Sequence, residues 1–569
     1  MINKSLLLLL LTLTTIIATA QDSFKPVSQD SLKGTITKER LWWDVQHYDI
    51  SLEIDFDKRR IVGKNTIDFK VVQNLHSQFM QIDLQEPLLI DSIKTGTTKL
   101  KFKRYGAAYI IDAPKLSKKN GKLDVFYSGT PKESKNPPYD GGFVWAKDSL
   151  NREWISVACQ MVGGSIWYPC KDHYSEEPDR GASLTISIND SLGVLIGNGR
   201  LKSRRSVNGK TEYTWAVTNP INNYGISFYI GKYVNINEVY KGEKGNLDLD
   251  FWVLDYNRNK AIGHLIPETK KTIKAFEKWF GPYPFYKDGV KMVESSYIGM
   301  EHQSAIAYGN KFRKGRFSFK NLTDLDLQTD RLIVHELAHE WFGNNITMSD
   351  IADRWVQEGF AAYGEELFIE ELLGRSAGRD FFLTRLPNKI KNRTPLISDY
   401  GIFKDAGDDM YFKGWAIIHM LREIINDDKK FQGFLRALNK EFYHKTIYSY
   451  QLEEFCSSFF KRDFTKIFNQ YLRFPSLPIL EYSITDNELK YRLVADVPYL
   501  EIPIKLNSPD MWITATTNWT EIKLKNKPLK PFSVDPNFLL DKNKLIKRAI
   551  QQVTKKPPLA RASRSCPQS

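Results

Sequence analysis

The sequence predicts a multidomain α+β protein: a large N-terminal β-sheet domain, a mostly helical middle domain and a small C-terminal β-sandwich. Three observations carry that prediction. From about Trp42 to Tyr233 apolar residues alternate with polar ones, the period of half-buried strands. From Pro267 to Phe460 apolar residues recur instead at helical spacing. From Pro478 the alternation returns. A chain of 569 residues has room for several domains at roughly 150 residues each.

In the first block Tyr48, Ile50, Leu52, Ile54 and Phe56 share one face, Asp57-Lys58-Arg59-Arg60 turns the chain, and Ile67, Phe69 and Val71 return. Strands also fit Leu184 to Ile188, Tyr213 to Val217 and Ile226 to Ile230, giving an N-terminal β-domain over 21–240. Pro267 suits the first turn of a helix, and Ile273, Phe276 and Phe280 follow before Gly281-Pro282 ends it. Helices are expected over Arg331 to Phe342, Trp355 to Leu373, Trp415 to Ile425 and Leu452 to Phe460, within a middle domain at 241–475. Ile479, Glu481 and Ser483, then Leu489, Tyr491 and Leu493, then Ile522 and Leu524, mark a β-sandwich at 476–545. Residues 546–569, with Pro557-Pro558 and scattered serines and arginines, read as a disordered basic tail.

Composition excludes several classes. Hydrophobic residues make up 42%, aromatics 13% and charges 26%, an ordinary globular balance that rules out intrinsic disorder and collagen. Four cysteines in so long a chain cannot form a dense disulfide framework. The net charge is +14, but six basic residues and no acidic one fall between Ile546 and Ser569, so the body is only mildly basic and no nucleic-acid partner is expected. The first twenty residues read as a secretory signal peptide: Lys4, an apolar run beginning at Leu6 to Leu11, and the small residues of Ala18-Thr19-Ala20 before Gln21-Asp22. No other stretch approaches a membrane-spanning length, so the protein is expected to be exported to the periplasm or the exterior.

The middle domain contains His335-Glu336-Leu337-Ala338-His339. Histidines four apart lie one above the other on a helix and reach one metal ion. Glu336 projects about 100° around the same turn, where a general base for the attacking water belongs. A catalytic zinc needs a third protein ligand. Glu358, in Trp355-Val356-Gln357-Glu358-Gly359-Phe360, is brought back beside the first helix if the chain turns between Asn344 and Asp353. Two imidazoles and a carboxylate suit hydrolytic zinc better than a redox metal.

The run His335 to Asn344, with eighteen residues between His339 and Glu358, resembles the gluzincin zinc metallo-aminopeptidases of the aminopeptidase N and leukotriene hydrolase type. Gly299-Met300-Glu301-His302 is similar to that family's Gly-x-Met-Glu-Asn exopeptidase motif. Gln160, ten residues before Cys170, resembles its amine-binding glutamine, and Tyr411-Phe412-Lys413-Gly414 the segment with its catalytic tyrosine. The likeness runs in the family's order from about Tyr48 to Leu480. It implies a saddle-like N-terminal domain and a thermolysin-like catalytic domain. It also implies one Zn2+ per chain on His335, His339 and Glu358, Glu336 as base and Tyr411 as oxyanion donor. Gln160, Gly299, Met300 and Glu301 would then bind peptides with a free N-terminus. Glu301 would neutralise the substrate's α-ammonium, with Gln160 as a neutral acceptor. The same site could serve a related hydrolase with an epoxide-type substrate, or a non-catalytic binding scaffold. An endopeptidase is disfavoured, because Glu301 would have no partner in mid-chain.

Departures from the family pattern carry expectations of their own. His302 stands in place of the usual asparagine, either supporting Glu301 or reshaping the amine pocket, and Ser165 stands where some members carry arginine. The 476–545 segment is shorter than the family's large helical C-terminal domain. Asp353 could accept the second ring N–H of a metal-bound histidine, or cap the helix at Trp355. Cys159 and Cys170 could be bridged or be two buried thiols, and His419 reads as a core histidine.

Overall fold

The computed structural model describes residues 28–541 and 546–547, apart from 74–77, 114–115, 117–119, 316–321, 387–388, 405–406, 486 and 526–529. The expected signal peptide and residues 548–569 of the expected tail lie outside the described residues.

The alternating N-terminal block folds into an eight-stranded sheet. Its strand Trp43–Asp55 pairs antiparallel with Arg60–Val71 and parallel with Ala182–Asn189. Tyr48, Ile50 and Leu52 point to one buried face, as their spacing requires. A second, four-stranded sheet includes Gly142–Lys147, Glu153–Ala158 and Phe228–Gly231. Its strand Glu153–Ala158 leads directly into the turn that carries Gln160. Side chains of both sheets enter one core around Trp43, Tyr48, Trp167 and Tyr168. Cys159 and Cys170 are buried free thiols in it, and burial pushes the Cys159 thiol well up.

The chain passes into a five-stranded sheet at Tyr233, several residues before the boundary expected at 240, because Tyr233–Gly242 pairs along its whole length with Gly245–Leu254. Val290–Glu294 and Ile306–Tyr308 extend this sheet, and Gly299–Met300 forms its edge. Helices α1 (Ile266–Phe280) and α2 (Arg331–Ala338) pack on it, α3 (Trp355–Leu373) packs on both of them, and α4 (Asp409–Ile425) packs on α3. α2 starts where the Asp330 carboxylate accepts the N–H groups of Leu332 and Ile333. It ends at Ala338 rather than at the expected Phe342. The chain leaves the helix through a turn closed at Gly343, whose φ of 142° favours glycine. α3 and α4 approach glycine on glycine: a Cβ on Gly359 would lie 3.0 Å from the Gly414 Cα. That approach places the first turn of α4 beside the Glu358 turn of α3.

The C-terminal block forms a four-stranded and a three-stranded sheet. Their apolar faces join the middle domain's core without a break, through residues such as Phe468, Tyr471, Leu480 and Ile502. Ile546–Lys547 pairs in parallel with Glu481 and Tyr482, so regular backbone continues past the boundary expected at 545.

Candidate active site

His335 lies in the last turn of α2 and His339 at its C-cap, where the backbone is still helical (φ −64°, ψ −21°), so both rings keep to one face. Their Nε2 atoms stand 3.3 Å apart. Glu358, in the first turn of α3, brings Oε2 to 3.6 Å from His335 Nε2 and 3.4 Å from His339 Nε2. All three residues are buried.

The ring orientations are fixed from behind. His339 Nδ1 lies 3.0 Å from the Phe342 carbonyl oxygen, which can only accept, so Nδ1 carries the proton and Nε2 presents a lone pair. His335 Nδ1 lies 3.1 Å from Glu365 Oε1, which fixes that ring the same way. With both rings neutral, two lone pairs and a carboxylate oxygen face one point in a buried place, an arrangement that a proton or a metal ion relieves. The donor set, two imidazole nitrogens and one carboxylate oxygen, fits a divalent metal of the zinc type. Electrostatics agree. Burial works against a charge on His335, but the carboxylates of Glu358 and Glu365 overcome it and raise its pKa to about 10. Burial also works against charge on Glu358, yet Arg354 and the two histidines hold its carboxyl well below the usual range. Arg354 Nη2 reaches Glu358 Oε1 at 3.0 Å, which leaves Oε2 for the histidine side.

Glu336 does not join the ligand set. Its carboxylate, with those of Glu301 and a nitrogen of His339, forms a second cluster with all ligand atoms within 4.8 Å. Tyr411 stands in the first turn of α4 with its ring 6.1 Å from the His335 ring. Gln160, Gly299, Glu301, Glu336 and Tyr411 line one cavity with the two histidines, of about 580 Å³, a volume suited to a small peptide end.

Three expected placements are corrected. Met300 points away from the cavity and packs in the N-terminal core, because successive strand residues face opposite sides; Gly299 and Glu301 take the cavity side. Asp353 partners neither histidine nor the start of α3: its carboxylate accepts the Tyr400 hydroxyl at 2.8 Å and the Ser449 N–H at 2.9 Å. His302 is fully buried, with Nδ1 2.8 Å from the Tyr229 hydroxyl rather than against the Glu301 carboxylate, and burial lowers its pKa to about 3. Ser165 is buried beneath the Gln160 turn, bonded to Asp172. His419 is a core histidine, stacked on Phe382 and bonded to Glu366.

The peptidase family M1 domain matches residues 266–471, and the peptidase M1 N-terminal domain matches 44–224. The chain belongs to the peptidase M1 family. Among relatives, it is 21% identical to a leucyl aminopeptidase of Saccharolobus solfataricus, over 81% of this chain and 58% of that one. It is 23% identical to endoplasmic reticulum aminopeptidase 1 of Rattus norvegicus, over 70% of this chain and 44% of the relative. The chain spans about half the length of the curated relatives it matches. Among solved structures, the fold is similar to that of an M1 zinc metallopeptidase mutant from Deinococcus radiodurans bound to Tyr-Ser-Ala, with TM-score 0.63 and 19% identity over 77% of this chain and 96% of that one. It is also similar to Legionella pneumophila aminopeptidase A in complex with aspartic acid, with TM-score 0.71 and 18% identity over 86% and 58% of the two chains.

In this M1 chain three residues that support the candidate metal site are not signalled by the sequence motifs. Glu365 stands seven residues after Glu358, two helical turns on, so helix geometry alone puts it on the same face. Arg331 grips Glu365 through Nε at 2.7 Å and so holds the carboxylate that orients His335. Arg354, four residues before Glu358, carried a similar signal.

Proposed function

We propose that this protein is a zinc-dependent aminopeptidase that removes N-terminal residues from peptides, with one zinc per chain. The observation that carries the proposal is the position of Glu301. Its carboxylate is buried, faces the cavity and stands within 4.8 Å of both Glu336 and a nitrogen of His339. A buried carboxylate beside a base and a metal position suits a substrate that brings its own positive charge close to the bond to be cut, as a free α-ammonium does.

His335, His339 and Glu358 would hold the zinc, which when bound supplies polarisation of the scissile carbonyl and acidification of the attacking water to a pKa of about 7. Glu301 receives the substrate's ammonium, and the Gln160 side-chain carbonyl accepts a further N–H from it. Glu336 takes the proton of the attacking water on its carboxylate and passes it to the leaving amine nitrogen. Tyr411 donates its hydroxyl hydrogen to the carbonyl oxygen as that oxygen becomes negative. A binding scaffold has no need of this complete set. Export through the signal peptide at residues 1–20 belongs to the same proposal, supported by Lys4, the apolar run from Leu6 and Ala18-Thr19-Ala20.

The test is Glu336→Gln. The variant is expected to keep its zinc and thermal midpoint while losing nearly all turnover. Retained activity, or loss of zinc, would show that Glu336 is not the base.

A further inference from the structure

The segment Ser28–Thr37 precedes the part of the chain that the peptidase M1 N-terminal domain matches, which starts at residue 44. It crosses two loops, one that lines the cavity and one that is fastened to the entry of α3. One is the turn after strand Glu153–Ala158 that carries Gln160. Met161 there holds φ of 63°, a left-handed backbone that a non-glycine residue adopts at a cost and keeps only when its surroundings enforce it. Gly163 follows at φ 80°, with the Asp172 carboxylate where a Cβ would go. The other loop contains Tyr400, Gly401 and Phe403, between the middle domain's helices. The Tyr400 hydroxyl donates to Asp353 at 2.8 Å and the Gly401 N–H to Asp350 at 2.8 Å, so this loop is fastened to the entry of α3, the helix of Glu358.

Lys33 joins the two loops. Its ammonium donates to the carbonyl of Val162, two residues after Gln160, and lies 3.7 Å from the centre of the Phe403 ring. The rest of the segment is seated on the second loop. Thr35 Oγ1 donates to the Gly401 carbonyl at 2.8 Å, and the Phe403 N–H donates to the Asp30 carbonyl at 3.3 Å. A Cβ on Gly34 would come within 2.6 Å of the Phe403 nitrogen, so only glycine permits this approach. The segment is itself gripped from the N-terminal domain: Arg40 Nη1 donates to the carbonyls of Lys33 and Thr35 at 3.1 and 3.0 Å, and His173 Nε2 lies 3.0 Å from that of Gly34.

We propose that Ser28–Thr37 is a strap that fixes the strained Gln160 turn at a set distance from the Glu358 side of the cavity, so that Lys33 and Gly34 are positioning residues for the substrate's N-terminal ammonium. The role assigned to that ammonium rests on the aminopeptidase reading above; the mechanical role of the strap does not. Neither Lys33 nor Gly34 lines the cavity, so their effect passes through the turn they hold.

The experiment compares Lys33→Met, Gly34→Ala and Lys33→Arg in the full chain. Lys33→Met keeps an apolar stem over Phe403 and removes the Lys33 donor to the Val162 carbonyl, leaving the one from Gln85 Nε2; Lys33→Arg keeps both Lys33 contacts. Lys33→Met and Gly34→Ala are expected to raise KM for a peptide with a free N-terminus on the order of ten-fold, with kcat within about two-fold and zinc content unchanged. Lys33→Arg is expected to restore the wild-type KM. Hydrogen exchange supplies a readout without substrate: the amides of Val162 and Gly163, both bonded to the Cys159 carbonyl, are expected to exchange faster in the first two variants. Unchanged exchange at these amides overturns the strap, as does a fall in thermal midpoint with no change in KM. If the wild type cleaves no free peptide, the aminopeptidase reading falls and the exchange result alone decides the strap.

Discussion

A Cβ on Gly299 would lie 2.7 Å from Oε1 of Glu336, so the proposed base rests directly on the bare backbone of the edge strand. The glycine of the Gly299-Met300-Glu301 run therefore has a steric duty toward the base, beyond any room it leaves for substrate. Gly299→Ala should push the Glu336 carboxylate aside. Because a misplacement of about 1 Å can cost 100-fold in rate, kcat should fall roughly 10- to 100-fold with zinc retained. Metal analysis beside steady-state kinetics checks this, and an unimpaired kcat would show that the carboxylate has room to spare.

Glu365→Gln should weaken the metal site without touching a ligand. The amide keeps the shape but loses the charge that orients and strengthens His335, and such outer partners typically contribute 10- to 100-fold in metal affinity. Competition with a graded series of chelators measures it. An unaltered affinity would reduce Glu365 to an ion-pair partner of Arg331.

Tyr411→Phe separates transition-state from ground-state binding. Losing one donor to a developing oxyanion costs about 100- to 1000-fold in turnover, or roughly 3–4 kcal/mol. The ring stays, so its packing near His335 should persist. The expected signature is a fall of kcat and kcat/KM together with KM steady. A rise of KM alone would make Tyr411 a substrate-binding residue.

His302 gives a prediction in pH. Burial lowers its folded pKa to about 3, whereas an unfolded histidine titrates near 6.5. Between those values the unfolded chain binds a proton that the folded chain refuses. The stability from this group is thus fully present above about 6.5 and lost as pH falls, by up to about 1.4 kcal/mol per pH unit. In His302→Asn the decline of unfolding free energy from pH 7 to 4.5 should be shallower than in the wild type. Parallel curves would mean that His302 is not held neutral.

Much of this was readable from residues in order, and the failures have physical causes. Alternation located the strand Trp43–Asp55 and its partners, since a strand's period survives into the fold unchanged. The histidine spacing and Glu358 were legible because one helix turn and one returning helix suffice to bring them together. Met300 was misplaced because a motif names neighbours, while an edge strand sends alternate side chains to opposite faces. The role of Asp353 is not legible in the sequence because Tyr400 and Ser449, which take its two carboxylate oxygens, are remote from it along the chain. The strap lay beyond reach for the same reason: nothing near Lys33 in sequence announces Val162 or Phe403.

The most direct measurement offers the purified protein one peptide in two forms, with a free and with an acetylated N-terminus, each with and without a zinc chelator. The account predicts release of the N-terminal residue from the free peptide, loss of that release with chelator, and its return on adding zinc. The acetylated form should be cleaved far more slowly, because Glu301 then faces no ammonium; a buried charge-assisted contact of this kind contributes roughly 2–5 kcal/mol. Equal cleavage of both forms, or cleavage that survives full removal of metal, would contradict the account.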